Sequence, residues 1–232
     1  MYPEWEGAYM KRSEINAAIR KAYTLLERYR VALPPWADWT PQEWAGKGPE
    51  CGEIRDNMLG WDVTDYGLGD FSTTGLTLVT LRNGSVTDPR YPKTYAEKLL
   101  VSQENQVCPM HFHWSKMEDI INRGGGTLMV QLYNADAAEG LSDADVIVVC
   151  DGIAQTVPAG TVLELPPGHS VTLTQRLYHA FWAKEGGGPV LIGEVSQCND
   201  DNNDNRFHTP MGRFPRIEED EPPYRLLCNE YP

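Results

Sequence analysis

The chain has 232 residues, 33 acidic against 20 basic, and a formal net charge of −13. That length supports one substantial core. The charge argues against nucleic acid, whose phosphates require clustered Lys and Arg, and against an anionic membrane surface. The expected partner is a small neutral molecule, or the negative charge simply keeps the protein soluble. Cysteines at 51, 108, 150, 198 and 228 are scattered, odd in number and lack a C-x-x-C pair. They read as reduced cytoplasmic thiols, and Cys108 as a small buried hydrophobe rather than a nucleophile. Met1 to Tyr9 has neither a basic nor an apolar stretch, so no secretory signal is expected. The longest apolar runs, such as Val146 to Cys150, are too short to span a bilayer.

In chain order, Ser13 to Arg30 carries Ile15, Ala18, Ile19, Ala22, Leu25, Leu26 and Tyr29 at helical spacing, with Ser13 as the expected cap. Leu33-Pro34-Pro35 ends that helix. Thr40-Pro41-Gln42-Glu43 announces a second, short one, with Thr at the cap and Glu three residues on. Trp36, Trp39 and Trp44 read as packing anchors. From about Trp61 the period becomes strand-like. Leu76–Leu81 runs to Asn83-Gly84, a hairpin-type turn, and Ala96–Gln103 follows. A strand through His111 and His113 comes next, then Thr127–Tyr133 after the triple glycine. Val146–Cys150 and Ile153–Val157 flank Asp151-Gly152, the strongest hairpin signal in the chain. Val162–Leu165, Val171–Thr174, Tyr178–Ala183 and Val190–Ser196 complete the set. The pattern predicts an all-β antiparallel barrel or jelly roll over residues 1–232 as a single domain, with a helical extension over about 11–50 on the outside. The Asp/Asn run from Asn199 to Asn205 lacks the glycine and glutamate of a calcium loop and reads as a solvated loop near a site mouth.

The chemistry concentrates in Cys108-Pro-Met-His111-Phe-His113-Trp-Ser-Lys-Met-Glu118. Alternate residues of a strand share a face, so His111 and His113 project together, about 6–7 Å apart. Glu118 lies an odd number of residues further on, which requires a bend near Trp114 or Ser115. Imidazole and carboxylate donors on rigid strands suit a divalent metal. His179, set among Tyr178, Phe181 and Trp182, needs a polar partner and can supply a fourth ligand. His169 and His208 read as surface histidines.

These residues resemble the two motifs of the cupin superfamily. His111, His113, Glu118 and Gly125 match the first; Gly152, Pro158, Gly160 and, after a long insertion, His179 match the second. Asn105 stands where the first motif has its glycine, and Leu163 where the second has its histidine. Longer stretches are similar to the bacterial D-lyxose isomerases: Tyr95-Ala-Glu-Lys98, Gln106, Pro109 to Trp114, Lys116 to Gly126, Glu194-Val-Ser196, Asn199-Asp200 and Asp204 to Phe207, with the opening Met10 to Asn16. The resemblance implies a cupin jelly roll and a cytoplasmic, commonly dimeric aldose–ketose isomerase. Its metal would be Mn²⁺, or another divalent ion such as Co²⁺, Fe²⁺, Ni²⁺ or Zn²⁺. The metal ligands would be His111, His113, Glu118 and His179. It would interconvert D-lyxose with D-xylulose and D-mannose with D-fructose.

Such a reaction needs a base, and Glu194, an acid interrupting the apolar run Val190–Val195, is the favoured candidate. Lys98 and Lys116 are candidates for holding alkoxide charge or moving a proton. Gln106, Arg206 and Asp204 are candidates for hydrogen bonds to distal hydroxyls. Two rival readings use the same ligands: a non-haem iron oxygenase and a non-catalytic sugar-binding cupin.

Overall fold

The structure, a computed structural model, describes residues 7–232. Most of the Met1–Tyr9 stretch, read above as free of an export signal, lies outside them. The first strand, β1 (Tyr9–Lys11), pairs in parallel with β15 (Arg216–Glu218) and leads directly into α1 (Arg12–Arg28). The helix starts one residue before Ser13. The Lys11 N–H donates to the Glu14 carboxylate at 3.1 Å, while Ser13 bonds through both N–H and hydroxyl to Asp220. Its apolar stripe is as read: Ile15, Ala18, Ile19, Ala22, Leu25 and Leu26 are buried. The helices α2 (Pro41–Trp44) and α3 (Gly52–Asp56) follow, and Thr40 caps α2 by the expected reciprocal bonds with Glu43. Trp44 is an anchor, stacked on Tyr231 with centroids 4.0 Å apart.

The remaining strands are β2 (Gly60–Thr64), β3 (Leu76–Arg82), β4 (Tyr95–Ser102), β5 (Cys108–Phe112), β6 (Glu118–Gly125), β7 (Leu128–Asn134) and β8 (Val146–Cys150). After them come β9 (Ile153–Val157), β10 (Val162–Leu165), β11 (Ser170–Leu173), β12 (Leu177–Ala183), β13 (Val190–Gln197) and β14 (Arg206–Phe207). They form an eight-stranded sheet in the order β2-β3-β4-β13-β6-β11-β8-β9 and a five-stranded sheet in the order β10-β7-β12-β5-β14, with antiparallel pairings. The expected all-β jelly roll with outer helices is therefore the fold observed.

Two cores follow from the two-residue period of strands. Between the sheets lie Leu78, Leu100, Ile120, Leu132, Phe181 and Ile192. On the outer face of the large sheet, Trp61, Val79, Leu99 and Leu191 pack under Ile15, Ile19 and Leu26 of α1. Leu99 and Leu191 face out while Leu100 and Ile192 face in, so Lys98 and Glu194, two residues along from the latter pair, also face in. The same alternation on β6 sends Glu118 inward with Ile120. Three charged side chains thus share one wall of the barrel.

One expectation is corrected and one strand is added. Asn83-Gly84 opens a connection over residues 83–94 rather than a tight hairpin. The buried Asn83 amide instead bonds the backbone of Asn199 in both directions, at 3.0 and 2.9 Å. The strand β6 has no apolar pattern to announce it, because Glu118, Asp119 and Arg123 interrupt its apolar residues. The Asp151-Gly152 turn is as read, with φ of 52° and 80°, the signs a type I′ hairpin demands.

Candidate active site and metal centre

His111 and His179 face one another across the β5–β12 pair, in direct register. His113 stands one residue beyond the end of β5. Each ring is oriented by its Nδ1 atom: His111 on the Pro109 carbonyl at 2.7 Å, His113 on that of Asp204 at 2.7 Å, His179 on that of Leu177 at 3.0 Å. A carbonyl only accepts, so Nδ1 carries the proton in each ring and a neutral ring presents a lone pair at Nε2. The three histidines, all buried, bring one ligand atom each within 4.8 Å of one another.

Glu118 approaches from the other sheet. Its Oε1 lies 3.5 Å from His113 Nε2 and 3.2 Å from His179 Nε2. His179 Nε2 is buried without a hydrogen-bond partner among the described residues, because a lone pair facing a carboxylate oxygen has nothing to donate. An orphaned buried acceptor facing a carboxylate fits a cation between them. Burial and the neighbouring rings also push His111 well below the usual imidazole range. For His113, burial and the Lys116 ammonium act in the same downward direction. Both rings are thus available as neutral donors.

The bend expected near Trp114 is a change of sheet over residues 113–117. The parity argument therefore does not apply to Glu118. Asp204 holds this crossing: its carboxylate accepts from the Ser115 N–H at 2.8 Å and the Lys116 N–H at 3.0 Å, and its carbonyl orients His113.

Beside the histidines runs a row of buried charges. Lys116 Nζ contacts Glu118 Oε2 at 2.6 Å and Glu194 Oε1 at 2.9 Å. Lys98 Nζ contacts the same Glu194 oxygen at 3.3 Å and Asn199 Oδ1 at 2.7 Å. Burial alone would raise the Glu118 carboxyl, but Lys116 and His113 hold it well below the usual range. Burial likewise opposes ionisation of Lys116, and Glu118 and Glu194 overcome it, raising its ammonium above the usual lysine range. The register explains the grouping, since Glu194 stands opposite Lys98 on β4 and opposite Ile120, two residues from Glu118, on β6.

These groups line a common cleft. The cleft contains His111, His113, Glu118, Lys98, Lys116 and Glu194. His179 closes the ligand set from β12. Gln106, Arg206 and Asp204, the expected hydroxyl contacts, are committed elsewhere. Gln106 donates to the Phe71 carbonyl and accepts from the Gln103 N–H; Arg206 pairs with Glu139 at 3.3 Å; Asp204 braces the crossing. His169 pairs with Asp151 at the surface, and His208 is exposed, as read. Burial pushes the Cys108 thiol up to about 12, against Tyr66 Oη at 3.1 Å, which fits a buried hydrophobe.

Sequence reasoning missed Tyr66 and Arg213, which also line the cleft, and read Asp201 only as part of a solvated loop. Asp201 is in fact bound inward. Burial opposes its ionisation, but Arg213, Lys98 and Lys116 hold it far below the usual carboxylate range. The dense Asp/Asn run was the available signal for this loop.

Comparison with known proteins agrees with this geometry. The family model described as D-lyxose isomerase matches residues 10–231. The chain is 52% identical over 223 residues to a D-lyxose/D-mannose isomerase of Serratia proteamaculans, covering 96% of this chain and 98% of that one. It is 50% identical over 223 residues to the D-lyxose/D-mannose isomerase of Escherichia coli O157:H7, with the same coverage. Among solved structures, the L-ribose isomerase of Acinetobacter sp. DL28 in complex with L-ribose shares the fold. Its TM-score is 0.61 at 16% identity, over 91% of this chain and 99% of that one. Sequence, fold and donor geometry converge: the chain belongs to the D-lyxose isomerase family, and with it to the aldose–ketose isomerases.

Proposed function

We propose that this protein interconverts D-lyxose with D-xylulose, and D-mannose with D-fructose, using a divalent ion held by His111, His113, His179 and Glu118. The observation that carries the reading is the convergence of buried imidazole donors and one carboxylate beside a second carboxylate, Glu194, bracketed by two ammonium groups. Bound there, the ion supplies Lewis-acid polarisation of the sugar's carbonyl. Mn²⁺ is the proposed ion, and Co²⁺, Fe²⁺, Ni²⁺ and Zn²⁺ suit the same nitrogen and oxygen donors.

Moving a carbonyl from C1 to C2 requires a proton to leave C2 and one to arrive at C1. Glu194 is the base. Both ammonium contacts fall on its Oε1, so Oε2 is the oxygen that takes the C2 proton. The C2–H electron pair becomes the C1–C2 double bond of an enediol, and negative charge develops on the former carbonyl oxygen. Lys116 and Lys98 place cations beside it and donate hydrogen bonds that strengthen as the charge grows. Lys116 passes a proton between the two oxygens, so that O1 gains the hydrogen that O2 loses, and Glu194 delivers a proton to C1 as the C2–O2 bond becomes the carbonyl. A positioned base contributes typically ~10²–10⁴-fold.

We further propose a cytoplasmic homodimer. Free cysteines at 51, 108, 150, 198 and 228 suit a reducing compartment. Among the described residues no helix is long and apolar enough to cross a membrane.

The test is turnover of D-lyxose by the Mn²⁺-loaded protein in D₂O. Solvent deuterium accumulating at C1 of the product xylulose as the reaction is carried to equilibrium is expected, because the protonated Glu194 carboxyl exchanges with solvent between taking a proton and delivering one. Product formed without deuterium would replace the proton relay with direct hydride transfer. Oxygen consumption by the iron-loaded protein, with no ketose formed, would favour the oxygenase reading.

A further inference from the structure

Asn83 stands just past the end of β3, 4% exposed, and its side chain bonds main chain on every side. Nδ2 donates to the Asn199 carbonyl at 3.0 Å and to the Asn57 carbonyl at 3.4 Å. Oδ1 accepts from the N–H groups of Asn199 at 2.9 Å and Gly84 at 3.0 Å. A carboxamide has two donor hydrogens and two acceptor lone pairs, so its capacity is filled. The reciprocal pair with Asn199 copies the two bonds that residues exchange across an antiparallel ladder, at a point where β13 has already ended.

This clamp fixes the backbone that carries the Asn199 side chain. Asn199 Oδ1 accepts from Lys98 Nζ at 2.7 Å and from Lys116 Nζ at 3.3 Å, while its Nδ2 donates to Asp201 Oδ2 at 2.7 Å. Glu194 Oε1 meets the same two ammonium groups at 3.3 and 2.9 Å. Lys98, Asn199, Lys116 and Glu194 therefore close a ring in which two cations alternate with two oxygens, and all four line the cleft. Two ammonium groups at this spacing repel, and the oxygens between them hold them in place. The carboxamide suits its corner. A carboxylate at 199 would have no hydrogen for Asp201 and would set a second negative charge against it, whereas Asn199 orients both lysines and leaves Glu194 as the ring's only carboxylate.

We propose that Asn83 and Asn199 are positioning residues of the isomerisation, an assignment that rests on the isomerase reading above. Asn83 locks the Asn199 backbone, and Asn199 Oδ1 takes one hydrogen from each lysine. Both ammonium groups are thereby kept on Glu194 Oε1, and Oε2 stays open for the C2 proton. With that corner removed, each lysine lacks an acceptor and turns toward Oε2, blocking the base.

The experiment measures kcat and KM for D-lyxose, per folded metal-loaded molecule, in Asn83→Ala, Asn199→Ala and the double variant. Each single change should lower kcat by about 10- to 100-fold, the scale of one hydrogen bond to a charged group, with KM and Mn²⁺ affinity within about threefold of wild type. The double variant should be no more than about twofold slower than Asn199→Ala, because Asn83 then has nothing left to position. Asn199→Ala keeps both main-chain bonds to Asn83, so it carries the test if Asn83→Ala does not fold. A second readout uses the metal-free protein: ¹H–¹⁵N spectra of wild type should show slowly exchanging ammonium signals from Lys98 and Lys116. Both single variants should lose the Lys98 signal, whose shortest bond is to Asn199. Normal kcat in Asn199→Ala, losses that multiply in the double variant, or an unchanged Lys98 signal would each overturn the assignment while leaving the isomerase reading intact. Metal-loaded wild type that forms no ketose, with both ammonium signals present, would reject that reading and the assignment with it.

Discussion

The crossing from β5 to β6 is the part of the site whose energetics can be worked most directly, through Asp204→Ala. The substitution removes a buried carboxylate that accepts from the N–H groups of Ser115 and Lys116 at 2.8 and 3.0 Å. The Lys116 N–H is buried and would be left unsatisfied, costing about 1.5–3 kcal/mol for a bond to a charged acceptor. Ser115 is exposed, and water recovers part of its loss, so the total is about 3 kcal/mol. For a chain of this size that lowers Tm by about 6–12 °C. The backbone carbonyl that orients His113 stays in the chain, but the loop that places it is loosened, so metal affinity should fall about 10- to 100-fold. Asp204→Asn retains one acceptor oxygen and should show about half the loss of stability. The assay is thermal unfolding in EDTA and again with excess Mn²⁺, with metal affinity by competition against a chelating dye. A Tm within 2 °C of wild type in EDTA would refute the bracing role.

Glu194→Gln should keep metal and sugar binding yet lower kcat by about two to four orders of magnitude, measured as xylulose formed; near-normal turnover would remove Glu194 from the role of base. Lys116→Met leaves Glu118 and Glu194 buried without their shared cation at 2.6 and 2.9 Å. In the metal-free protein this should cost about 3–5 kcal/mol by urea denaturation. Added Mn²⁺ should recover part of that stability, and no difference with and without the ion would count against Glu118 as a ligand. Ile19→Ala opens a fully buried position between α1 and the outer face of the large sheet, at 0% exposure. It should cost about 2–5 kcal/mol in stability while kcat per folded molecule stays within twofold, because that face lies outside the cleft.

The parts legible in the sequence are those where one periodicity dominates. α1 announces itself because its apolar residues recur at helical spacing, and the Asp151-Gly152 hairpin because its turn chemistry is specific. His111, His113 and Glu118 stand out as metal-binding residue types clustered within one short stretch. The strand β6 was hidden because Glu118, Asp119 and Arg123 serve the site and its surroundings rather than the apolar pattern. Gln106 and Arg206 illustrate a different limit: a polar residue near a motif can equally satisfy a backbone carbonyl or a neighbouring acid, and both do. Arg213 and Asp201 were invisible as site residues because irregular loops carry them inward. Only the partners Asp62 and Lys98, from distant strands, give them a reason to be there.

The central claim is that three imidazoles and one carboxylate from facing sheets bind a single divalent ion. Anomalous diffraction at the manganese edge from crystals grown with Mn²⁺ tests it directly. One strong peak is expected, bounded by the Nε2 atoms of His111, His113 and His179 and by Glu118 Oε1. A fully loaded crystal whose only peaks lie elsewhere, with these four side chains arranged as they are without the ion, would contradict it.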